Sequence, residues 1–284
     1  MSTPSNLERF NVSKVELAKL GSEFKSEALP MIDKLYQASF WILLNKKFAN
    51  KIIKQTFIEA IEDCNVTKNE ADWQSWILRI WMREILDFYS IRENDIQTIF
   101  DFIDNCEIGS EEVAYFSQSN NLKSTINERE LIKILEKLPA VLRIPTIMKE
   151  MLSFNYEKIA ELIDVPTGVI ATRIYRARKL LFLLNRNNFP YEEEKRKWGK
   201  RESTKKIFDL RRCALFADEE LVSDQKSEFL ESTRTEAEYK IEIQVQQEIK
   251  NQINIHSSQA SSIKSLLSKI KRKAEKKFCH DLFS

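Results

Sequence analysis

NYEKIAELIDVPTGVIATRIYRARK, residues 155–179, reads as a helix, a tight turn and a second, strongly basic helix. In the first half, Ile159, Leu162 and Ile163 recur at helical spacing, and the small Ala160 between them lets another helix approach closely. Asp164, Val165 and Pro166 then stop that helix. Pro166 cannot continue it but suits the opening turn of the next, and Gly168 is expected to supply backbone freedom at the corner. On the second helix Ile170, Ile174, Ala177 and Leu181 share one side, while Thr172, Tyr175, Arg176 and Lys179 share the opposite side. One face is built to pack and the other is expected to be free. This is the layout of a helix-turn-helix that inserts its second helix into a DNA groove.

The free face suits that task chemically. Arg176 and Lys179 reach phosphates or guanine edges, Thr172 bonds bases or phosphate, and Tyr175 offers an apolar surface to thymine methyl groups. A solvated helix also carries Arg and Lys outward, and for an isolated basic helix that simpler account usually wins. Here the adjoining turn and packing stripe favour DNA. Arg173 borders the apolar stripe, so a structural pairing with Glu157 or Glu161 competes with phosphate contact at that position.

In order and spacing, Leu138-Pro139, Arg143, Tyr156, Ile159-Ala160-Glu161, Val165-Pro166, Gly168, Arg173 and Arg176-Ala177-Arg178 resemble the promoter-reading fourth region of extracytoplasmic-function (ECF) sigma factors. Val169 and Ala171 depart from it, standing where the family usually has Thr and Lys. The resemblance implies that Tyr156, Thr172, Arg173, Tyr175, Arg176 and Lys179 contact promoter DNA.

Residues 31–92 are similar, in part, to the family's second region, which grips RNA polymerase and opens the promoter. Leu35-Tyr36 begins it. ANKIIKQTF, residues 49–57, stands where the family shows Ala-Glu-Asp-Leu-Val-Gln-Glu-Thr-Phe, with Asn50 and Lys51 replacing the acidic pair. WILRIWMREILDF, residues 76–88, parallels a Trp-Leu-x-Arg-Ile helix and keeps the later Asp as Asp87, with Arg83 in place of the usual Asn. By this likeness Asn50, Lys51, Lys54 and Gln55 form the polymerase-binding surface. Trp73, Trp76, Trp81 and Phe88 have the chemistry to stack on exposed bases, but Trp76, Ile77, Ile80 and Phe88 recur at helical spacing and are expected mostly in the core. Arg79, Trp81 and Arg83 are the better nucleic-acid candidates.

Composition supports helices throughout. Across 284 residues there are 4 glycines and 6 prolines, too little turn chemistry for a sheet-rich fold, so an all-α architecture is expected. Hydrophobic residues make up 43% and charged residues 31%, enough for real cores with a wet surface. The formal net charge of +2 means that any basic surface is local. Cys64, Cys106, Cys213 and Cys279 lack paired spacing, and no leader-like segment opens the chain, which suits a reducing cytoplasm. The longest apolar runs fall far short of the ~20 residues a membrane span needs. With 2 histidines, no HExxH, no glycine-rich phosphate loop and no nucleophile motif, the sequence points away from an enzyme and implies no cofactor or metal.

The expected organisation is a helical region-two-like domain over 1–103, a polar linker over 104–127, a helix-turn-helix domain over 128–188, a charged linker over 189–206 and a mostly helical extension over 207–284. Within the extension Tyr239, Ile241, Ile243 and Val245 alternate as in a strand, but Glu, Lys and Gln flank them and no hairpin partner exists, which favours helix. CALFADEEL, residues 213–221, faintly resembles the opening of zinc-binding anti-sigma domains without their His-x-x-x-Cys-x-x-Cys set. A regulatory domain packed on the sigma modules, or an anti-sigma partner, is one expectation, and an independent helical appendage is the other. KSLLSKIKRKAEKK, residues 264–277, is basic and partly amphipathic, with Leu266, Leu267 and Ile270 on one side; it reads first as a solvated terminal helix, with a nucleic-acid or acidic-partner contact or weak membrane association as further options. The resulting expectation is a sigma factor acting with core RNA polymerase and promoter DNA. Two other readings stay open: a polymerase-independent helix-turn-helix regulator and a protein that sequesters a partner.

Overall fold

A computed structural model of the chain describes residues 14–63, 73–89, 100, 103–104, 128–185, 204–235, 237–256 and 264–278. Among the described residues all regular structure is helical, as the composition implied. The chain divides into two compact units, one of residues 1–89 with 260–284 and the other of residues 90–259.

The first unit contains α1 (Lys14–Glu23), a π-helical turn (Phe24–Ala28), α2 (Met31–Leu43), α3 (Lys46–Asp63) and α4 (Trp73–Tyr89). Helix α2 ends where Leu44 turns left-handed at φ 54°, and the Asn45 side chain then opens α3 by accepting from the Lys47 and Phe48 N–H groups at 2.9 and 3.2 Å. Helix α4 buries Trp73, Ile77, Leu78, Ile80, Trp81, Met82 and Ile85, a stripe at helical spacing. Phe24 meets Trp73 edge-on at 5.1 Å between ring centroids, locking the π-helical turn onto α4. Trp81 is fully buried, and its indole N–H donates to the Ser39 hydroxyl at 2.8 Å, which in turn donates to the Leu35 carbonyl at 2.7 Å. Trp81 is thus a core residue and not the base-stacking candidate inferred from sequence, because its ring and its single donor are both consumed internally. The reverse holds for Phe88, expected in the core: it is 42% exposed and lies beside the equally exposed Phe48 at 5.0 Å.

The second unit contains α5 (Glu128–Glu136), α6 (Ala140–Leu152), α7 (Tyr156–Ile163), α8 (Thr167–Asn185), α9 (Thr204–Ala217), α10 (Ser223–Thr235) and α11 (Ala237–His256). The alternating Tyr239 to Val245 run lies inside α11, so the flanking residues predicted its conformation better than the alternation did. Helix α9 begins at Thr204, inside the stretch read as a charged linker, while residues 105–127 and 186–203 lie outside the described residues.

The last helix, α12 (Lys264–Phe278), belongs to the first unit and packs on α3 and α1. Ile270 and Ala274, one turn apart, are fully buried. Lys273 pairs with the Glu62 carboxylate at 2.6 Å, and Lys277 donates to the Glu62 carbonyl at 3.2 Å. The solvated terminal helix expected from its charge is therefore half-packed: its apolar edge finds α3, and its lysines close the end of that helix where carbonyls attract cations. Among the described residues no helix is long and apolar enough to cross a membrane.

Candidate nucleic-acid interface

The helix-turn-helix forms at the predicted place, with the turn built differently. Asn155 caps α7 through its side chain, which accepts from the Lys158 N–H at 2.8 Å. Asp164 ends α7 in the left-handed region at φ 59°, and the Val165 N–H returns to the Ala160 carbonyl at 3.1 Å. Asp164, whose short polar side chain tolerates that conformation, therefore does the work expected of Gly168. Gly168 lies within α8, and its missing side chain instead makes room for a neighbour: a Cβ there would stand 3.2 Å from the Arg211 guanidinium of α9. The Pro166 carbonyl accepts from Val169 and Ile170 to start α8. Asn155→Ala should cost about 1 kcal/mol, read as a lower denaturation midpoint with faster amide exchange at the start of α7; Asn155→Asp should keep the cap.

Along α8, Ile170, Ile174, Ala177 and Leu181 are buried, as the sequence pattern requires. The opposite face is not free. Tyr175 is 1% exposed and Lys179 3% exposed. The segment 204–256 covers them, because α9 and α11 both pack on α8. Tyr175 shares a cluster with Cys213, Ala214 and Phe229, bordered by Phe216, Leu221, Tyr239 and Ile243. Lys179 donates to the Glu242 carboxylate at 2.8 Å, and the Tyr175 carbonyl accepts from Gln246 at 3.3 Å. Arg176 is held from another direction: its guanidinium forks onto Asp104, with 2.9 Å from Nε to Oδ1, and lies 4.2 Å above the Phe100 ring. Thr172 is half-buried and donates to the Gly168 carbonyl at 2.9 Å, and Arg173 is half-buried too. What remains exposed is the leading edge of α8, at Pro166, Thr167 and Val169.

Tyr156, also expected at the DNA, is 1% exposed, and its hydroxyl donates to Asp218 at 2.7 Å. Its backbone N–H, at the start of α7, donates to the Glu220 carboxylate at 2.9 Å, and the same carboxylate pairs with Lys149. Beneath this lies a fully buried guanidinium. Arg178 bonds Glu150 of α6 through Nε at 3.1 Å and also reaches both Asp218 oxygens at 3.0 Å, and Lys250 closes on Asp218 at 3.0 Å. Burial pulls the Arg178 pKa down, but the charges of Glu150 and Asp218 with the neighbouring Tyr156 outweigh it and leave it raised, so the ion stays charged. Burial pushes Asp218 up as well, yet Arg178, the Tyr156 hydroxyl and Lys149 hold its carboxyl below the ordinary value. Glu150 has Arg178 as its main ally, so burial wins there and its pKa is raised. Burial also raises Tyr156, keeping its phenol protonated.

The partners of this face escaped the sequence reading. Asp218 and Glu220 sat in plain view within CALFADEEL, but nothing local showed that they meet α7 and α8. Glu242 lies in an apparently strand-like run, and Asp104 stands at the boundary assigned to a linker.

On the first unit, Asn50, Lys51, Lys54 and Gln55 are all exposed on one side of α3. Arg79 is exposed. Arg83 is exposed but bonds Glu59 of α3, with Glu84 at 3.6 Å, and the Glu59 hydrogen bond raises its pKa. Among the described residues no cluster of His, Cys, Asp and Glu is arranged to hold a metal ion.

The family described as sigma-70, region 4 matches residues 128–181, the segment that runs from α5 through most of α8. The chain is 23% identical over 133 residues to the ECF RNA polymerase sigma-E factor of Haemophilus influenzae, covering 46% of this chain and 70% of that protein. It is 24% identical over 136 residues to the proteins of the same name from Escherichia coli K12 and Salmonella typhimurium LT2, with the same coverage of 46% and 70%. No solved structure matches the chain. Residues 128–181, which contain the helix-turn-helix, thus carry a sigma-70 region 4 segment, in a chain similar over nearly half its length to extracytoplasmic-function sigma factors and continued beyond that segment by α9 to α12.

Proposed function

We propose that the chain binds core RNA polymerase through its first unit and directs initiation at selected promoters, with α8 reading the upstream promoter element. The observation that carries this is the α7–turn–α8 geometry within the region 4 match. Such a unit places the second helix in the major groove while the first crosses the backbone. In that role Arg176 and Lys179 neutralise phosphates or reach guanine edges, Thr172 and Tyr175 meet bases, Arg173 adds a phosphate contact, and the α7 N-terminus at Tyr156 offers its N–H to the backbone. The work is recognition, and no turnover is needed.

The exposed Asn50, Lys51, Lys54 and Gln55 row supports a polymerase contact on α3. Its chemistry differs from the acidic pattern of the family, so a basic face meets the polymerase here. Arg79 remains as a strand-backbone contact on the first unit, and Arg83 reaches nucleic acid only by leaving Glu59.

Lys51→Glu with Lys54→Glu is expected to weaken binding to purified core polymerase by about tenfold or more without loss of helical signal, since both side chains are exposed and an interface charge reversal acts on the complex alone. Binding is measured with labelled full-length protein. An unchanged affinity would move the polymerase contact off α3 and favour a regulator that reads DNA without polymerase.

A further inference from the structure

The extension occupies the surface that promoter DNA would need. Three of its carboxylates occupy groups proposed to meet DNA: Glu242 sits on Lys179, Asp218 on the Tyr156 hydroxyl, and Glu220 on the Tyr156 N–H at the start of α7. A fourth, Asp104, takes Arg176 in a fork that suits a carboxylate or a phosphate equally well. Carboxylate and phosphate present the same acceptor chemistry to these donors, so DNA and the extension cannot hold them together.

The polar part of the contact favours opening, against an apolar part centred on Tyr175, Cys213, Ala214 and Phe229, with Val245 and Ile249 of α11 also buried. The polar part is incompletely matched: Arg178 Nη1, Glu242 Oε2 and Gln246 Oε1 are buried and lack a hydrogen-bond partner among the described residues. Such groups lower the stability of the closed form relative to one in which they meet water. Meanwhile Asn50, Lys51, Lys54 and Gln55 stay exposed.

We infer that α9 to α11, with Asp104, act as an intramolecular acidic substitute for promoter DNA, closing the reading face of α8 while leaving the α3 face open to polymerase. The chain then binds polymerase in the closed state and reads promoters only from the open one, so its apparent DNA affinity is the intrinsic affinity scaled by the open fraction. This inference rests on α8 being the DNA-reading helix.

The test uses the full-length chain and the variant Glu220→Lys/Glu242→Lys, which sets like charges against Lys149 and Lys179. Opening is read without DNA, from peptide-resolved alkylation of Cys213, which is fully buried on the side of α9 that packs with Tyr175. Core-polymerase affinity and initiation on a library of promoter fragments are read in parallel. The variant is expected to alkylate Cys213 at least about tenfold faster, to bind polymerase within about twofold of the parent, and to initiate at least about tenfold more. In the parent, adding polymerase and the promoter library should itself speed Cys213 alkylation. That arm holds even if the variant fails to fold.

If the variant opens and initiates no better than a parent that already initiates, or if the parent initiates with Cys213 still protected, the inference is wrong and the sigma reading stands. If opened and closed forms both bind polymerase yet neither initiates nor binds any fragment, α8 is not the reading helix, and both fall together.

Discussion

Arg178→Ala is expected to cost about 3–5 kcal/mol of unfolding free energy, the largest stability loss expected from a single charge among the described residues. The guanidinium is fully buried and holds two carboxylates, Glu150 and Asp218, each with a side chain almost wholly removed from water. Removing it leaves both as buried anions without their main counter-charge, and Glu150, already raised in pKa by burial, must take up a proton or drag water in. For a unit of this size the loss corresponds to a fall of roughly 10 °C in Tm, measured by circular dichroism on the full chain. Arg178→Lys should recover little, because one ammonium cannot fork between two carboxylates as a guanidinium does. Asp218→Asn should do less harm than Arg178→Ala, since Glu150 would keep its partner. A Tm within a degree or two of the parent for Arg178→Ala would mean that water reaches the cluster freely in solution.

The second large effect belongs to the other unit. Trp81→Ala should cost about 3–5 kcal/mol, the usual range for emptying a buried Trp site. The indole is fully buried in α4, so its removal leaves a cavity beside α2 and orphans the Ser39 hydroxyl as an acceptor. Ser39→Ala is the sharper control: it deletes the partner and leaves the Trp81 N–H buried without one, at about 1–3 kcal/mol. A double-mutant cycle over Ser39 and Trp81 should show coupling, and both substitutions should act on unfolding in the absence of DNA. If Trp81→Ala instead unfolds like the parent and fails only in promoter opening, the ring is a base-stacking group after all and is displaced from the core in the working complex.

The helix-turn-helix was legible because its signals are local. Apolar spacing fixed the packing side of α8, and Asp164 with Pro166 marked the corner; the Asn155 cap went unread, and the residue carrying the left-handed turn was misassigned, as Asp and Gly both satisfy that geometry. The other side of α8 was misread for a physical reason. Tyr175, Arg176 and Lys179 are amphipathic or charged groups whose burial depends on partners tens of residues away, and no local pattern distinguishes a Lys facing water from one facing Glu242. Trp81 and Phe88 exchanged places because spacing puts both on the α4 stripe, seven residues apart: Trp81 sits at its centre and is enclosed, whereas Phe88 lies in the last turn of the helix, exposed beside Phe48. For α12 the basic residues dominated the reading, while Ile270 and Ala274, one turn apart, were the signal of packing.

The position of α12 also bears on how the chain folds. The pair Glu62 and Lys273 joins residues 211 positions apart, so the first unit is assembled from segments made at very different times. At equilibrium this distance matters little, because each doubling of a loop adds only about 0.6 kcal/mol of closure entropy. Kinetically it matters a great deal, since distant contacts are slow to form. At about 5–20 residues per second of synthesis, α1 to α4 wait for many seconds while the whole second unit is made, and only then does α12 reach α3. The first unit to begin folding is thus the last to be finished.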